Sequence, residues 1–336
     1  MRKISKNEYK FSATELEARI PEFASLGITE IFVNDAALSR DRSRIKSMLS
    51  CIADSFPELF VSVLVRASCI DMDLCAAASE LCCSLEIPLD ISSVNGKLLF
   101  DKKLYSRKAS MLNSIGNVFG FQLEYSRMPG DTLKLFFDRL DFAVGLYPNH
   151  IDFPQLDSGL NGTDADVTGV FSAGDVRYAR DVAFACRTFY SAGRAVPWMN
   201  SILKPLRIHP SRFFADFAEW QRCGSCDFKS GFEPEAEPHV SLEKMQILFI
   251  DEKYEEKGCG ALLPLVHDIV RLNGAMSRCS GEGEESVLEL SYSPDDLLGP
   301  ESAELALFHD NVCMENCRIR IFASAEGPDY EILADM

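Results

Sequence analysis

Seven polar residues fall at the ends of predicted parallel strands: Asn34, Asp35, Arg66, Asp90, Glu124, Arg127 and Gln155. Parallel α/β folds bind their ligands at the C-terminal ends of the strands. Asp35, Arg66, Asp90, Glu124, Arg127 and Gln155 are therefore the candidate binding residues. Arg66 with Asp90 or Asp35 would grip a carboxylate or a ribose. The same charges could equally form an ion-pair network with no ligand, since such networks also gather at strand ends. A second set is made of thiols. Cys223-Gly-Ser-Cys226 is a CxxC, and Cys313 with Cys317 would complete four ligands for zinc or an auxiliary iron–sulfur cluster. The competing reading is two unrelated pairs of reduced cysteines. His239 follows the CxxC, but no second histidine completes a zinc finger. His267, in LLPLVHDIV, reads as a packing residue. Gly258-Cys-Gly260 lacks the third glycine and preceding strand of a dinucleotide loop, and no Walker loop or GxSxG occurs.

The elements that must position these residues alternate through the first half of the chain. Short apolar strands are predicted at 28–35, 59–66, 84–90, 121–127 and 150–156, with helices at about 39–56, 71–82, 103–115 and 131–147 between them. Ser12 to Glu15 reads as a capping box for a first helix running to about Leu26, with a kink or later start at Pro21. In the helix over 131–147, Leu133, Phe136, Phe137, Leu140, Val144 and Tyr147 form one apolar face. Asp131 is placed to accept from the free amides of its first turn. Such alternation implies a parallel sheet covered by helices. Residues 157–173 are rich in Gly, Ser and Asp and read as a linker. Helices follow at roughly 174–192, 210–222, 241–256 and 260–273, then strands at 287–293, 318–324 and 330–333. The expected organisation is an α/β domain over 1–157 and an acidic, mainly helical domain with a small sheet over 158–336.

Between Gly116 and Thr163 the wording is distinctive: PGDT after a strand, LDFAVGLYPNHID along a helix and into the next strand, then Gly162-Thr163. This stretch resembles the late barrel of radical SAM enzymes, especially their cobalamin-binding class. YARDVAFACRTFY, AVPWMNSILKPL and HPSRFFADFAEWQ also look like that class's helical C-terminal extension. The resemblance implies an incomplete TIM-like parallel barrel, five strands against the usual six, followed by an α-rich domain. It also implies a [4Fe–4S] cluster held by CxxxCxxC, with S-adenosylmethionine and cobalamin as cofactors. The 336 residues contain no CxxxCxxC. The first barrel strand, the cluster loop and the upstream cobalamin domain are expected to be missing. The fourth strand of the family carries a Gly and polar cofactor contacts where this chain reads Glu86-Ile87-Pro88-Leu89-Asp90-Ile91. Arg127-Met128 stands where the family has Gly-Leu. Two expectations follow: a divergent accessory or binding subunit without its own SAM-cleaving cluster, or the C-terminal portion of a cobalamin-dependent radical SAM enzyme.

Bulk properties narrow the partners. The net charge of −17 lies almost wholly beyond residue 157, and no Lys/Arg stripe offers phosphate neutralisation, so nucleic acid is not an expected partner. No apolar run approaches the roughly 18 residues of a bilayer span. MRKISKNEYK is basic without an apolar segment after it, so a cytoplasmic location is expected. Most of the 12 cysteines fall in apolar segments, among them Cys51, Cys69, Cys75, Cys82, Cys83 and Cys186, as small buried hydrophobes do. A missing first strand would leave a sheet edge needing cover, which suggests a homo-oligomer or a cluster-bearing partner protein. Asn161-Gly-Thr163 matches a glycosylation sequon but reads as a turn.

Overall fold

The computed structural model describes residues 13–94, 97–127, 129–157 and 171–334. Ser12, Met128 and the Asn161–Thr163 turn lie outside the described residues. The chain divides into two compact units, residues 1–92 with 99–122 and residues 93–98 with 123–336. Five parallel strands alternate with helices. The pairings are those of a parallel sheet, and the barrel stays an expectation of the resemblance.

The first unit runs α1 (Ala13–Phe23), β1 (Glu30–Val33), α2 (Arg42–Ser55), β2 (Phe60–Leu64), α3 (Met72–Ser79), β3 (Cys83–Pro88), the short strands β4 (Ser92–Val94) and β5 (Lys97–Leu99), α4 (Lys102–Ile115) and β6 (Val118–Gln122). Val33, Val63, Leu85 and Phe119 occupy one register row, which makes a continuous apolar stripe across β1, β2, β3 and β6. Helix α2 buries Ile45, Met48, Leu49 and Ile52, spaced for one helical face. Asp41, Asp71 and Asp101 cap α2, α3 and α4 by accepting from first-turn amides. Helix α1 continues through Pro21 to Phe23.

The second unit carries α5 (Leu133–Val144), the fifth parallel strand β7 (His150–Asp152), α6 (Pro154–Asp157), α7 (Ala173–Cys186), α8 (Met199–Leu206), α9 (Pro210–Cys223), α10 (His239–Glu256) and α11 (Leu263–Glu282). β8 (Ser286–Leu290), α12 (Pro294–Leu298), α13 (Leu305–Asn311), β9 (Cys317–Ser324) and β10 (Gly327–Leu333) complete it. The Leu123 amide donates to the Asp152 carbonyl at 2.8 Å. β10, β9 and β8 form an antiparallel sheet against α11, with Ile319 and Ile321 inward and Arg318 and Arg320 outward. Phe189, Phe213, Phe217 and Phe249 pack edge-on or tilted at the centre of the helices, with centroids 4.9–5.1 Å apart for the closest pairs. Helices α8, α12 and α13 were not foreseen, because each is short and ends at Pro, Gly or a polar turn.

Helix α7 runs into a π-helical turn, Arg187–Ala192. There the Gly193 amide bonds the Thr188 carbonyl, and the carbonyls of Phe189 and Gly193 accept instead from Gln246 Nε2 at 2.7 and 2.9 Å. His239 joins this knot. Its Nε2 meets the Gly193 carbonyl at 3.2 Å and its Nδ1 faces Arg278 at 3.0 Å, so the neutral ring donates to the first and accepts from the second. Arg278 also pairs with buried Glu243 at 2.6 Å.

Burial, then the nearby Arg194 and Arg278, hold the His239 ring down from 6.5 to about 4. Unfolded histidine takes up a proton below pH 6.5 while the folded ring resists until about 4, so stability is lost as pH falls through that window. The expected loss is about 2–3 kcal/mol. Buried Asp131 and Asp268 and half-buried Asp141 are shifted upward by desolvation, which acts in the opposite sense above the ordinary aspartate range. Comparison with His239→Gln cancels them, since glutamine keeps a donor and an acceptor without the charge. Urea midpoints at pH 7 and 4.5 should fall much further for the wild type than for the variant. Equal falls would remove His239 as the cause.

Candidate functional site

In the first unit the strand-end residues are engaged with one another. The Asp35 carboxylate accepts from the Leu38 amide at 2.6 Å and so starts the turn after β1. The Arg66 amide donates to the Ser39 carbonyl at 2.9 Å, and its guanidinium pairs with Asp90. Arg66 Nε is buried with no hydrogen-bond partner among the described residues. Tyr105, from α4, closes the end of β3: its hydroxyl donates to the Pro88 carbonyl at 2.9 Å and accepts from the Asp90 amide at 2.8 Å. The expected meeting of Arg66 with Asp90 is therefore present, whereas Asp35 serves its own turn. Asp90 is half exposed, so the pair contributes at most about 1 kcal/mol.

Glu124, Arg127 and Gln155 belong to the second unit. The predicted strand over 121–127 ends at Gln122, and residues 123–127 form a loop held by buried polar side chains. Arg139 Nη2 donates to the Glu124 carbonyl at 2.7 Å, and Gln155 Nε2 donates to the Tyr125 carbonyl at 2.7 Å. Asp131 accepts from the amides of Ser126 at 2.8 Å and Thr132 at 2.9 Å, while Arg139 lies 3.6 Å from its carboxylate. This holds Ser126 at φ +55°, a conformation rarely adopted outside glycine and worth reading functionally. The loop presents Glu124 and Arg127 to solvent, their charges 3.5 Å apart. Gln155 is thus an anchor beneath the loop rather than a group displayed on it.

The cap of α5 is Thr132, which accepts from the Leu135 amide, and Asp131 turns back to the loop instead. The buried face of α5 is Phe136, Arg139, Leu140, Ala143 and Val144, with Tyr147 exposed. Arg139 and Tyr105 were missed. A charged residue three positions after Phe136, on an apolar stripe, was the available signal for Arg139.

The four thiols do not meet. Within either unit alone, among the described residues, no three His, Cys, Asp or Glu side chains bring ligand atoms within 4.8 Å of one another. Cys223 and Cys226 sit at the end of α9, and Cys226 donates to the Gln221 carbonyl at 3.5 Å. Cys317 opens β9 and donates to the Tyr292 carbonyl at 3.5 Å, and Cys313 is exposed in the turn before it. Burial raises both Cys226 and Cys317 above the ordinary thiol range, which disfavours the thiolate that a metal requires. As arranged, these cysteines do not fit a cluster.

No family model matches the chain, and no curated protein does. Solved structures are similar over part of it, two among them as follows. Both are of the radical S-adenosylmethionine methyltransferase TsrM from Kitasatospora setae. The form with cobalamin and a [4Fe–4S] cluster bound is 15% identical over 43% of this chain and 29% of that one, with a TM-score of 0.35. The form with tryptophan substrate and a SAM analog bound is 14% identical over 43% and 30%, with a TM-score of 0.36. The match thus spans under a third of TsrM. Among the described residues, no helix is long and apolar enough to cross a membrane.

Proposed function

We propose that this chain is a divergent radical-SAM-type protein that acts as a binding or accessory subunit and does not itself cleave S-adenosylmethionine. The observation that carries this reading is the end of β3. Where the resemblance calls for a glycine and polar cofactor contacts, Pro88 has no amide to donate. Its carbonyl and the Asp90 amide are both taken by the Tyr105 hydroxyl. Asp90 is in turn bound to Arg66. This strand end is satisfied by its own side chains. The lack of CxxxCxxC in the sequence agrees with the reading. The partner would be a cluster-bearing protein or a second copy.

A second reading draws on the stretch from Gly116 to Thr163, whose wording is that of an intact late barrel. On that reading the chain is the C-terminal portion of a cobalamin-dependent radical SAM enzyme, with its cluster and cobalamin segments elsewhere.

The test is iron and labile sulfide per chain after strictly anaerobic purification and reconstitution. Near-zero iron is expected. About four irons per chain would overturn the proposal. Loss of that iron in the Cys223→Ala, Cys226→Ala double variant would locate the cluster.

A further inference from the structure

We infer that the outer edge of β1 is a docking site for an extended segment of a partner protein, one that alternates apolar with basic side chains and adds a strand to the parallel sheet. The site rests on the proposed reading of a subunit that works beside a partner. β1 reads Glu-Ile-Phe-Val and is the outermost strand in the order β1-β2-β3-β6-β7. Its inner side is paired: Glu30 stands opposite Phe60, and the Phe60 amide donates to the Thr29 carbonyl at 3.0 Å. Backbone groups of a strand alternate in direction across a parallel pair. Thr29, Ile31 and Val33 therefore turn to β2, and the amides and carbonyls of Glu30 and Phe32 point away from it. They meet no hydrogen-bond partner among the described residues.

The helix layer marks the same place. A helix that joins two parallel strands lies over the pair. Helix α2 joins β1 to β2, and α1 packs on α2 as α2 packs on α3 and α3 on α4. Helix α1 therefore reaches one place further out than α2, past β1, with Ile20 and Phe23 buried. A strand laid along β1 would run beneath it. Nothing closes this edge. Exposed edges are commonly blunted by Pro, Lys or a bulge, and β1 has none of them. The antiparallel sheet supplies the contrast. Its edge strand β10 carries Pro328, which has no amide, and turns the Tyr330 amide onto the Asp329 carboxylate at 2.8 Å. One edge is blocked against a further strand, and the other is left ready for one.

The side chains decide what fits. Phe32 is 52% exposed on the face opposite the buried row of Val33, and Glu30 shares that face. Residues 20–39 hold Glu22, Glu30 and Asp35 and no Lys or Arg. Glu22 is paired with Arg19 and Asp35 accepts from the Leu38 amide, which leaves Glu30 without an ion pair among the described residues. A guest strand therefore needs an apolar residue at every second position, facing the helices. On its other face it needs a Lys or Arg beside Glu30 and an apolar group beside Phe32. A second copy of this edge brings the like charge of its own Glu30 and is the poorer match.

The test follows amide exchange of the full chain, residue by residue, with and without a capped synthetic peptide built on Val-Lys-Val-Phe-Val. Control peptides carry Glu for Lys, or Pro at alternate positions. The Glu30 and Phe32 amides should exchange freely in the protein alone. They should slow about tenfold with about 1 mM Lys peptide, as a Kd of about 0.1 mM gives, while the amides of α4 should not change. The Glu peptide should protect them less and the Pro peptide not at all. Phe32→Pro removes one outward amide and should abolish the effect. Glu30→Lys leaves the backbone intact and should weaken the Lys peptide about two- to fivefold, so a poorly folding Phe32→Pro does not obscure the result. Binding without protection of Glu30 and Phe32, or no protection at all, would overturn the inference. So would slow exchange in the protein alone: relieved on dilution, it would make the occupant a second copy; relieved by deleting residues 1–12, this chain's own N-terminal segment. Iron content is read separately. About four irons per chain with protected amides would remove the proposed function alone, and no iron with unprotected amides would remove this docking site alone.

Discussion

Gly193→Ala should lower the stability of the second unit by about 3–5 kcal/mol, a loss few single substitutions reach. A Cβ at this position would lie closer than 3.0 Å to both Gln246 Nε2 and the Phe189 carbonyl oxygen. The first could swing aside, but the second is backbone fixed by the π-helical turn. Moving Gln246 away strips the Phe189 carbonyl of its 2.7 Å bond and loosens the Gly193 carbonyl, which then keeps only His239. Leaving a buried group unpaired costs about 1–3 kcal/mol, and overpacking a tight site about as much again. Gln246→Ala separates the two effects. It removes the bonds but opens space, so it should cost only about 1–3 kcal/mol. Urea midpoints at unchanged slope report both values. A Gly193→Ala loss below that of Gln246→Ala would mean that the helix end relaxes freely and that close approach is not what demands glycine.

This knot marks the limit of what the sequence made legible. The alternation of apolar strands with amphipathic helices located all five parallel strands and four of the long helices beyond them, because burial periodicity is a local property. The register row Val33, Val63, Leu85 and Phe119 follows from it. Arg66 and Asp90 could be paired in advance, since both close neighbouring strands. What the sequence concealed are side chains that reach across to another element's backbone. Nothing in the spacing of Tyr105 says that its hydroxyl will bridge Pro88 and Asp90. Nor does the order of the thiols show that Cys226 answers to Gln221 while Cys317 answers to Tyr292. Asp131 misled for a related reason. A residue after Pro-Gly and before a helix reads as a cap, yet Thr132 occupies that role and frees Asp131 for the loop.

Arg139→Met should be the second severe substitution, and a double-mutant cycle with Asp131 decides why. Arg139 and Asp131 are both almost fully buried and 3.6 Å apart. Desolvation pushes the Asp131 carboxyl up, while Arg139 and the amides of Ser126 and Thr132 pull it down. Methionine removes the charge that offsets the burial and leaves the Glu124 carbonyl without its 2.7 Å donor. Breaking a buried pair from one side costs about 3–5 kcal/mol. Asp131→Asn in the same background removes the stranded charge and keeps an acceptor for one amide. The double variant should therefore recover part of the loss, with a coupling of about 1–3 kcal/mol. Hydrogen exchange supplies a local readout, because the Ser126 amide donates to the Asp131 carboxylate. Its exchange should quicken in Arg139→Met more than that of the core amides of α10. The loop held by this pair is what presents Glu124 and Arg127 to solvent, so the cycle also measures how firmly those side chains are aimed. Zero coupling with slow Ser126 exchange would make Arg139 a packing residue and leave the loop to Gln155 and its own backbone.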